Sequence, residues 1–421
     1  MTSVLHPDGA TDTGTPGNVV VRHVPGMPLM SARVWLRGGS RLEPTPGQSM
    51  ITGRLLAEGT RRRDWSRLAA DIEGRGMLLQ SFGTADKLVL NLDALAEDWR
   101  LAVQWLAELL LEPSFPEPRF AWLCRQTAAE LEGLTDQPDY RTLRGFMDRL
   151  YGDHPYGRPL QGGADSLGAL SVDDCADLHR RVLSWGGSLV IAGDFDADAV
   201  RAEVGDRFAG LGTAVPPKVA APEPMEPGRH GLQVGGGEQA HVFAGHLTLP
   251  RTHPDLPALQ LAGVVLGAGA GMAGRLPERV REREGLAYSV DVSTVAGAGF
   301  DCGRLVIYVG TSPRTVPQAE LAIREEVERL VEHGIDDDEL EEARAYLVGR
   351  DPFRRETLRQ RADLMAEAGL YGQPVHRPGW LVERWRSLDR RGVEAAVRRW
   401  IHPDRLQTVI GWPGTPAADS E

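Results

Sequence analysis

The sequence predicts an α+β protein made of two similar domains, and two observations support that prediction. Strand and helix patterns are interspersed, but several neighbouring strands have no helix between them, as in α+β rather than doubly wound α/β proteins. A Pro-rich segment at 213–230, poor in apolar residues, divides the 421 residues nearly in half and predicts an extended linker. We therefore expect domains at 18–212 and 231–414, a flexible N-terminus at 1–17 and a short tail at 415–421.

The elements of the first half follow from their residue patterns. Apolar or alternating runs predict strands, and apolar residues at three- and four-residue spacing predict helices. The predicted strands are 19–24, 32–36, 78–82, 87–92 and 188–192, and the predicted helices are 47–58, 65–72, 101–111, 119–133, one that ends at Leu150, and 179–185. In each domain we expect a mixed or antiparallel sheet with helices packed on one face.

A repeated pattern near the end of each half indicates duplication. The string Leu-Tyr-Gly closes a helical stretch at 150–152 and again at 370–372. Each is followed by a helical segment with Arg-Arg and Trp, and then by a short apolar strand. From the tyrosine to the strand valine there are 39 positions in the first half (151 to 190) and 38 in the second (371 to 409). Several matches in one order at nearly equal spacing favour two copies of one fold.

Composition excludes several classes of function. A formal charge of −12 argues against a general nucleic-acid binder or a protein that binds anionic membranes. No apolar run approaches the ~18–20 residues that cross a bilayer, and the first 18 residues lack a secretory pattern. The three cysteines lie far apart without C-x-x-C spacing, which predicts neither a disulfide framework nor a zinc site. We expect a cytoplasmic protein with no membrane or nucleic-acid partner.

Several strings carry a resemblance to a known family. The segments GSRLEP (39–44), LLAEGT (55–60), LLLEPSF (109–115), YGDHPYGRP (151–159) and, above all, REREGLAYSV (281–290) resemble the insulinase/pitrilysin family of metallopeptidases, the inverted zincins. The resemblance covers nearly the whole chain. It implies a duplicated LuxS/metallopeptidase-like fold and an H-x-x-E-H motif on a helix, in which two histidines bind zinc and the glutamate activates a water.

The zinc motif is degenerate in this sequence. Counting back from the end of the family-like string LLAEGT (55–60) places the motif at 50–54, where Met50 stands for the first ligand, Gly53 for the general base and Arg54 for the second ligand. Methionine is a weak zinc ligand, glycine has no proton acceptor and guanidinium is permanently cationic. The resemblance also implies a third ligand on a later helix, where Glu130 lies 76 positions after Arg54. We expect no metal or other cofactor in this chain, and we hypothesise that Arg54 pairs with Glu130 where zinc would bind. The alternative is that both side chains face solvent.

The second half retains a pair of residues that the family uses opposite its zinc site. In the family an Arg and a Tyr lie seven positions apart, and Arg281 and Tyr288 match that spacing. Arg281 should end a helix that begins near residue 273 and stops at Gly285, and Tyr288 should lie on a strand at 286–294. The resemblance implies that the Tyr288 hydroxyl donates to a developing oxyanion and that Arg281 holds a substrate carbonyl. The alternative is a solvated arginine and an ordinary packing tyrosine.

Two further segments are expected to contact a peptide substrate, on the basis of the resemblance. The edge strand 78–82 would bind it by strand addition. The glycine-rich run at 267–271 lacks the context of a phosphate-binding loop, and we interpret it as a flexible turn that can contact substrate. The residues concerned are Leu79, Gln80, Ser81 and Phe82 in the strand and Gly269 and Gly271 in the turn.

These observations favour a catalytically incomplete subunit of a heterodimeric zinc metallopeptidase. The family includes heterodimers in which one chain holds zinc and the other holds the Arg/Tyr pair, and this chain retains only the pair. We expect no peptidase activity from it alone, a homologous zinc-binding subunit as its partner, with the zinc in that partner, and peptides as substrates. Two alternatives remain. One is a structural scaffold subunit, for which loss of Arg281 and Tyr288 would have been expected, and the other is a hydrolase with a relocated metal site.

Overall fold

Two compact units make up the chain, and each is discontinuous in sequence. The computed structural model describes residues 4–5, 11–14, 19–269, 274–377 and 379–414, and at 4–5, 11–14 and 288 it describes the backbone only. Unit 1 comprises residues 1–131, 159–219 and 352–378, and unit 2 comprises residues 132–158, 220–351 and 379–421. The two units therefore differ from continuous halves of the chain by the placement of two short stretches, 132–158 and 352–378.

The first half of the chain alternates between strands and helices. In chain order they are β1 (Val4–Leu5), β2 (Thr11–Gly14), β3 (Val19–His23), β4 (Leu29–Arg37), α1 (Gln48–Leu55), α2 (Trp65–Glu73), β5 (Leu78–Gly83), β6 (Lys87–Leu95), α3 (Trp99–Leu111), α4 (Glu117–Thr135), α5 (Pro138–Tyr151), α6 (Ala164–Ala169), α7 (Val172–Trp185), β7 (Gly187–Gly193) and α8 (Ala197–Arg207). Of these elements, α5 belongs to unit 2.

The second half repeats much of this order. Its elements are β8 (Arg229–Gln233), β9 (Ala240–Pro250), α9 (Leu256–Leu266), α10 (Arg275–Pro277), β10 (Ala287–Ala296), β11 (Cys302–Thr311), α11 (Val316–Glu332), α12 (Asp337–Arg350), α13 (Leu358–Tyr371), α14 (Trp380–Ser387), α15 (Arg390–Trp400) and β12 (Gln407–Trp412). A π-helical turn, Glu278–Arg283, continues α10. Of these elements, α13 belongs to unit 1.

The sheets of the two units share one strand order. In unit 1 the order is β3-β7-β4-β6-β5, extended beyond β3 by β2 and β1, and in unit 2 it is β8-β12-β9-β11-β10. In each sheet the first of these strands is parallel to its neighbour, and the pairs that follow are antiparallel. The predicted α+β class with two similar mixed sheets is confirmed, and the common order supports duplication.

Helices cover the sheet of unit 1 on both faces. Side chains alternate between the faces of a strand, so that Val34 of β4 packs with Leu106 of α3 in the main core, whereas the neighbouring Trp35 packs with Met365 of α13. Helices were expected on one face of the sheet only, but α13 also covers the opposite face in unit 1. None of the helices in the described part of the chain combines the length and apolar character that a bilayer crossing requires.

The tyrosines of the repeated Leu-Tyr-Gly string make equivalent hydrogen bonds. In unit 2 the hydroxyl of Tyr151 donates to the carbonyl oxygen of Cys302, the first residue of β11, at 3.0 Å. In unit 1 the hydroxyl of Tyr371 donates to a carboxylate oxygen of Asp86, just before β6, at 2.7 Å. Since β6 and β11 hold equivalent places in the two sheets, each tyrosine ties its helix to the same hairpin turn of the repeated fold.

Candidate functional site

An ion pair occupies the place predicted for the zinc motif. Arg54 of α1 forks onto Glu130 of α4, with Nη2 2.7 Å from Oε2 and Nη1 3.2 Å from Oε1. Nη1 also donates to the hydroxyl of Thr127 at 2.9 Å. The two side chains are 25% and 37% exposed, so solvent does not fully screen this bidentate pair. The hypothesised ion pair is present, and a permanently charged guanidinium covers the carboxylate that would bind metal. These residues do not fit a zinc ion.

Gly53 brings α1 into direct contact with the backbone of β5. A Cβ at position 53 would lie 2.3 Å from the carbonyl carbon of Phe82 and 2.4 Å from the amide nitrogen of Gly83. Conversely, a Cβ at Gly83 would lie 2.3 Å from the carbonyl oxygen of Ser49, and the hydroxyl of Ser81 donates to the carbonyl oxygen of Gly53. The position of the family's general base therefore has no room for any side chain while α1 and β5 keep this contact.

The beginning of α1 is fixed by Glu43, a residue of the string GSRLEP. The carboxylate of Glu43 accepts hydrogen bonds from the amide nitrogens of Gly47 and Ser49, at 2.9 and 2.8 Å. These amides are among those that an α-helix leaves without a partner in its first turn. The helix geometry around Met50, which is half-buried, is thus retained although the chemistry of the motif is lost.

The segment that carries Arg281 is a π-helical turn anchored by a neighbouring arginine. The guanidinium of Arg279 contacts Glu284 at 2.7 Å, Glu325 at 2.5 Å and Glu326 at 3.3 Å, and the last two lie on α11. Arg281 is half-buried, with Nε 3.5 Å from Oε1 of Glu282. π-Helical turns are rare and occur often at functional sites, since the extra residue turns side chains away from their regular helical direction.

Tyr288 lies on β10, as predicted from the sequence. β10 is the last strand in the sheet order of unit 2, opposite β8. Gly285 adopts φ +60° between the π-helical turn and this strand, which agrees with its predicted role as a helix stop. The side chain of Tyr288 lies outside the described residues. The structure thus places Arg281 and Tyr288 on consecutive elements that a left-handed glycine connects.

The residues predicted to bind substrate fall on an edge strand and an exposed turn. β5 ends the sheet order of unit 1, and no strand pairs with its outer edge among the described residues. Leu79 and Ser81 are half-buried on the side of α1, whereas Gln80 and Phe82 are exposed on the other face. Gly269 is exposed at the end of α9, and Gly271 lies outside the described residues.

Two buried histidines have unusual environments that the sequence did not indicate. Burial lowers the pKa of His179 to about 4, although its ring Nε2 bonds the carbonyl oxygen of Leu110 at 2.8 Å. Burial also lowers the pKa of His246 to about 4, and its Nε2 accepts from the amide of His402 at 3.0 Å. In the part of the chain that the structure describes, no three His, Cys, Asp or Glu side chains are grouped as metal ligands would be.

Comparison with models of protein families identifies the family to which the chain belongs. A model described as insulinase (peptidase family M16) matches residues 18–163, and a model described as the peptidase M16 inactive domain matches residues 188–347. Together they cover most of the sequence and both units. The chain therefore belongs to the peptidase M16 (insulinase) family.

Related proteins differ in whether they are named as proteases. An uncharacterized zinc protease of Streptomyces coelicolor is 29% identical over 354 residues, which are 80% of this chain and 75% of that protein. A protein of Helicobacter pylori named a non-peptidase homolog is 24% identical over 394 residues, which are 91% of this chain and 89% of that protein. Membership of the family therefore leaves catalytic status to be argued from the residues themselves.

Solved structures share the fold. A crystal structure of a peptidase M16 inactive domain from Pseudomonas fluorescens matches with a TM-score of 0.87 at 22% identity, covering 98% of this chain and 100% of that one. The periplasmic protease PqqL from Escherichia coli matches with a TM-score of 0.77 at 16% identity, covering 97% of this chain and 46% of that one. The cytoplasmic location inferred from the sequence remains a prediction.

Proposed function

We propose that this chain is the catalytically incomplete subunit of a heterodimeric zinc metallopeptidase that cleaves peptides. The partner would be a homologous chain with an intact H-x-x-E-H motif and its zinc. The observation that carries this proposal is the fork between Arg54 and Glu130, in which the guanidinium covers the carboxylate that would bind metal at the degenerate motif. The helix α1 that carries the motif still forms and packs on β5, as expected of a subunit that is selected for assembly.

The contribution of this chain would be Arg281 and Tyr288. A hydroxyl held on a strand can donate a hydrogen bond to the oxyanion of a tetrahedral intermediate, and an arginine beside it can hold a substrate carbonyl. The ion pairs of Arg279 with Glu325 and Glu326 support this assignment, because they hold the π-helical turn against α11 and so fix the position of the backbone at Arg281. The zinc-activated water would come from the partner.

A scaffold role is the main rival to this proposal. It would explain the degenerate motif equally well, and one relative is named a non-peptidase homolog. Substitutions of Arg281 and Tyr288 distinguish the two functions, since a scaffold does not need an oxyanion donor. Assembly with a partner does not distinguish them, because both functions require it.

Reconstitution tests the proposal directly. The chain is expressed alone and together with an M16 chain from the same organism that carries H-x-x-E-H, and cleavage of a quenched fluorescent peptide library is measured for each preparation. We expect the chain alone to contain far less than one zinc per molecule and to cleave nothing, and the assembled pair to cleave in a zinc-dependent manner. A stoichiometric zinc in the isolated chain, or a pair that forms but cleaves no faster than the zinc-bearing chain alone, would contradict the proposal.

A further inference from the structure

Three exposed leucines meet where three strands of unit 1 end. Leu29 begins β4, Leu95 ends β6 and Leu78 begins β5, and these side chains are 49%, 43% and 55% exposed. Because β6 runs antiparallel to both neighbours, the three leucines lie at the same end of the sheet. Exposed apolar residues that cluster in this way mark a binding surface more often than singly scattered ones do.

The three leucines also share one face of the sheet, the face that α13 covers. Leu29 pairs with Leu95 across the strands, and Leu78 pairs with Asp93, two residues before Leu95. Side chains two residues apart on a strand point the same way. Asp93 bonds Arg33, which lies on the α13 side and bonds Asp363 of that helix. The strands thus extend beyond the first turn of α13, and the leucines lie in the uncovered part.

A cavity of about 510 Å³ lies at this place, and we call it the leucine groove. Its walls are mostly apolar residues of the strand ends, together with Ser31, Asp93 and residues 357–359 at the start of α13. Leu29, Leu78 and Leu95 line it from the strand ends, and Arg359 lines it from the first turn of α13. A cavity of this size can hold one or two side chains of a ligand but not a folded element.

The unused hydrogen-bond donors of the groove suit a carboxylate, although the charges of Arg33 and Arg359 are balanced by those of Asp93 and Asp363. Asp93 is already neutralised, since Oδ1 accepts from Ser31 at 2.7 Å and from Arg33 at 2.9 Å, and Oδ2 lies 2.9 Å from Nε of Arg359. The side chain of Arg359 is 46% exposed. Among the described residues, its ion pair is with Asp93 and is made through Nε. The fork formed by its two Nη groups therefore remains for a carboxylate from outside.

We infer that the leucine groove binds the apolar end of an extended peptide, with an apolar side chain between Leu29, Leu78 and Leu95 and a carboxylate on Arg359. The carboxylate is either the C-terminal one or that of an Asp or Glu next to the apolar residue. An extended chain suits the site because the groove begins at the first residue of β5, whose outer edge has no strand partner among the described residues. This inference goes beyond the proposed function, since it requires neither the partner chain nor zinc.

Fluorescence anisotropy with the purified full chain tests the site. The probe is a labelled hexapeptide of alternating threonine and valine that ends in leucine, compared with its C-terminal amide and with an amide that has aspartate before the leucine. We expect the free acid to bind and the plain amide to bind about threefold more weakly, as for the loss of a half-exposed ion pair. The amide with aspartate before the leucine shows whether a side-chain carboxylate can replace the C-terminal one. If neither the C-terminal carboxylate nor the aspartate strengthens binding relative to the plain amide, the role of Arg359 is overturned.

Variants locate the binding. Leu78→Ser with Leu95→Ser should weaken binding about tenfold or more, because the burial of an apolar side chain is lost, and Arg359→Gln should abolish the difference between free acid and amide. The matched controls are Leu321→Ser, whose leucine is 52% exposed on α11, and Arg229→Gln, whose arginine is half-exposed and paired with Glu320. These controls should bind as the unchanged chain does.

The same experiment excludes other occupants. If the free-acid peptide does not bind, or if the groove variants bind it as tightly as the controls do, the inference is wrong. Sedimentation of the same proteins at assay concentration tests a second copy as the occupant. A self-association that disappears in the Leu78→Ser, Leu95→Ser variant, without any effect on peptide binding, would also overturn it.

Discussion

Gly53 and Phe82 approach so closely that a Cβ on the glycine would lie 2.3 Å from the carbonyl carbon of the phenylalanine. The family motif places a catalytic glutamate at position 53. The chain has thus lost the space for that residue as well as the residue itself. Degeneration of the site therefore extends from the substituted side chains to the packing of α1 on β5.

Gly53→Ala should destabilise the protein, although alanine is the better helix former. The added methyl must displace the backbone of β5, and overpacking of this kind costs about 1–3 kcal/mol. In an open helix the same change stabilises by roughly 0.5–1 kcal/mol. Urea unfolding measures the difference.

Two other helical glycines provide matched controls for this change. A Cβ added at Gly133 in α4 or at Gly349 in α12 would meet no atom within 4 Å. Both lie in the last turn of their helices, so Gly133→Ala and Gly349→Ala should raise the free energy of unfolding by no more than about 0.5–1 kcal/mol. If Gly53→Ala behaves as they do, α1 and β5 are not in the close contact described.

The ion pair at the degenerate motif should be measurable by a double-mutant cycle. With Arg54→Gln, Glu130→Gln and the double variant, we expect a coupling free energy of about 1 kcal/mol, at the upper end for a partly exposed pair. The pair of Arg180 and Asp177, which is much more exposed, should couple by less than about 0.5 kcal/mol. A coupling near zero for Arg54 and Glu130 would mean that Glu130 is stabilised without the arginine.

Stability should fall with acid between about pH 6.5 and pH 4 because of His179 and His246. Both have a folded-state pKa near 4 that burial has lowered from 6.5. In this range the unfolded chain binds more protons than the folded chain, so stability is fully present above pH 6.5 and is lost as the pH falls towards 4. Urea unfolding at a series of pH values measures the slope.

A histidine variant isolates this effect. His246→Gln keeps a side chain that can bond the amide of His402 but cannot take up a proton in this range, so the slope should decrease. His333→Gln, at an exposed position, should leave the slope as it is. Equal slopes for His246→Gln and the unchanged protein would show that His246 does not titrate on unfolding.

Much of the fold followed from local patterns, since these act within one strand or helix. The residue pattern at 78–82 predicted the strand β5, and the spacing of the two Leu-Tyr-Gly strings predicted two copies of one fold, which share a sheet order. The pair of Arg54 and Glu130 could be predicted because a lost metal leaves a carboxylate that requires another cation. In each case the prediction depended on neighbouring residues or on a charge that requires an opposite charge nearby.

What the sequence did not predict depends on contacts between distant segments. The apolar face of α13 would look the same whichever sheet it covered, so its place in unit 1 could not be inferred. Gly53 and Gly83 were visible in the sequence, but only the fold shows that Gly53 of α1 packs against β5 and that Gly83 of β5 packs against α1. The leucine groove likewise depends on where α13 begins relative to the ends of the strands.

The central claim, that this chain completes a partner's active site, is tested most directly by the turnover of the assembled pair with Tyr288→Phe. Loss of one oxyanion donor typically lowers turnover about 10²–10³-fold. We expect a fall of that order with the two chains still associated, and for Arg281→Ala a raised KM with a smaller change in turnover. Unchanged turnover and KM in both variants, in a pair that assembles normally, would contradict the claim and assign the chain to a scaffold role.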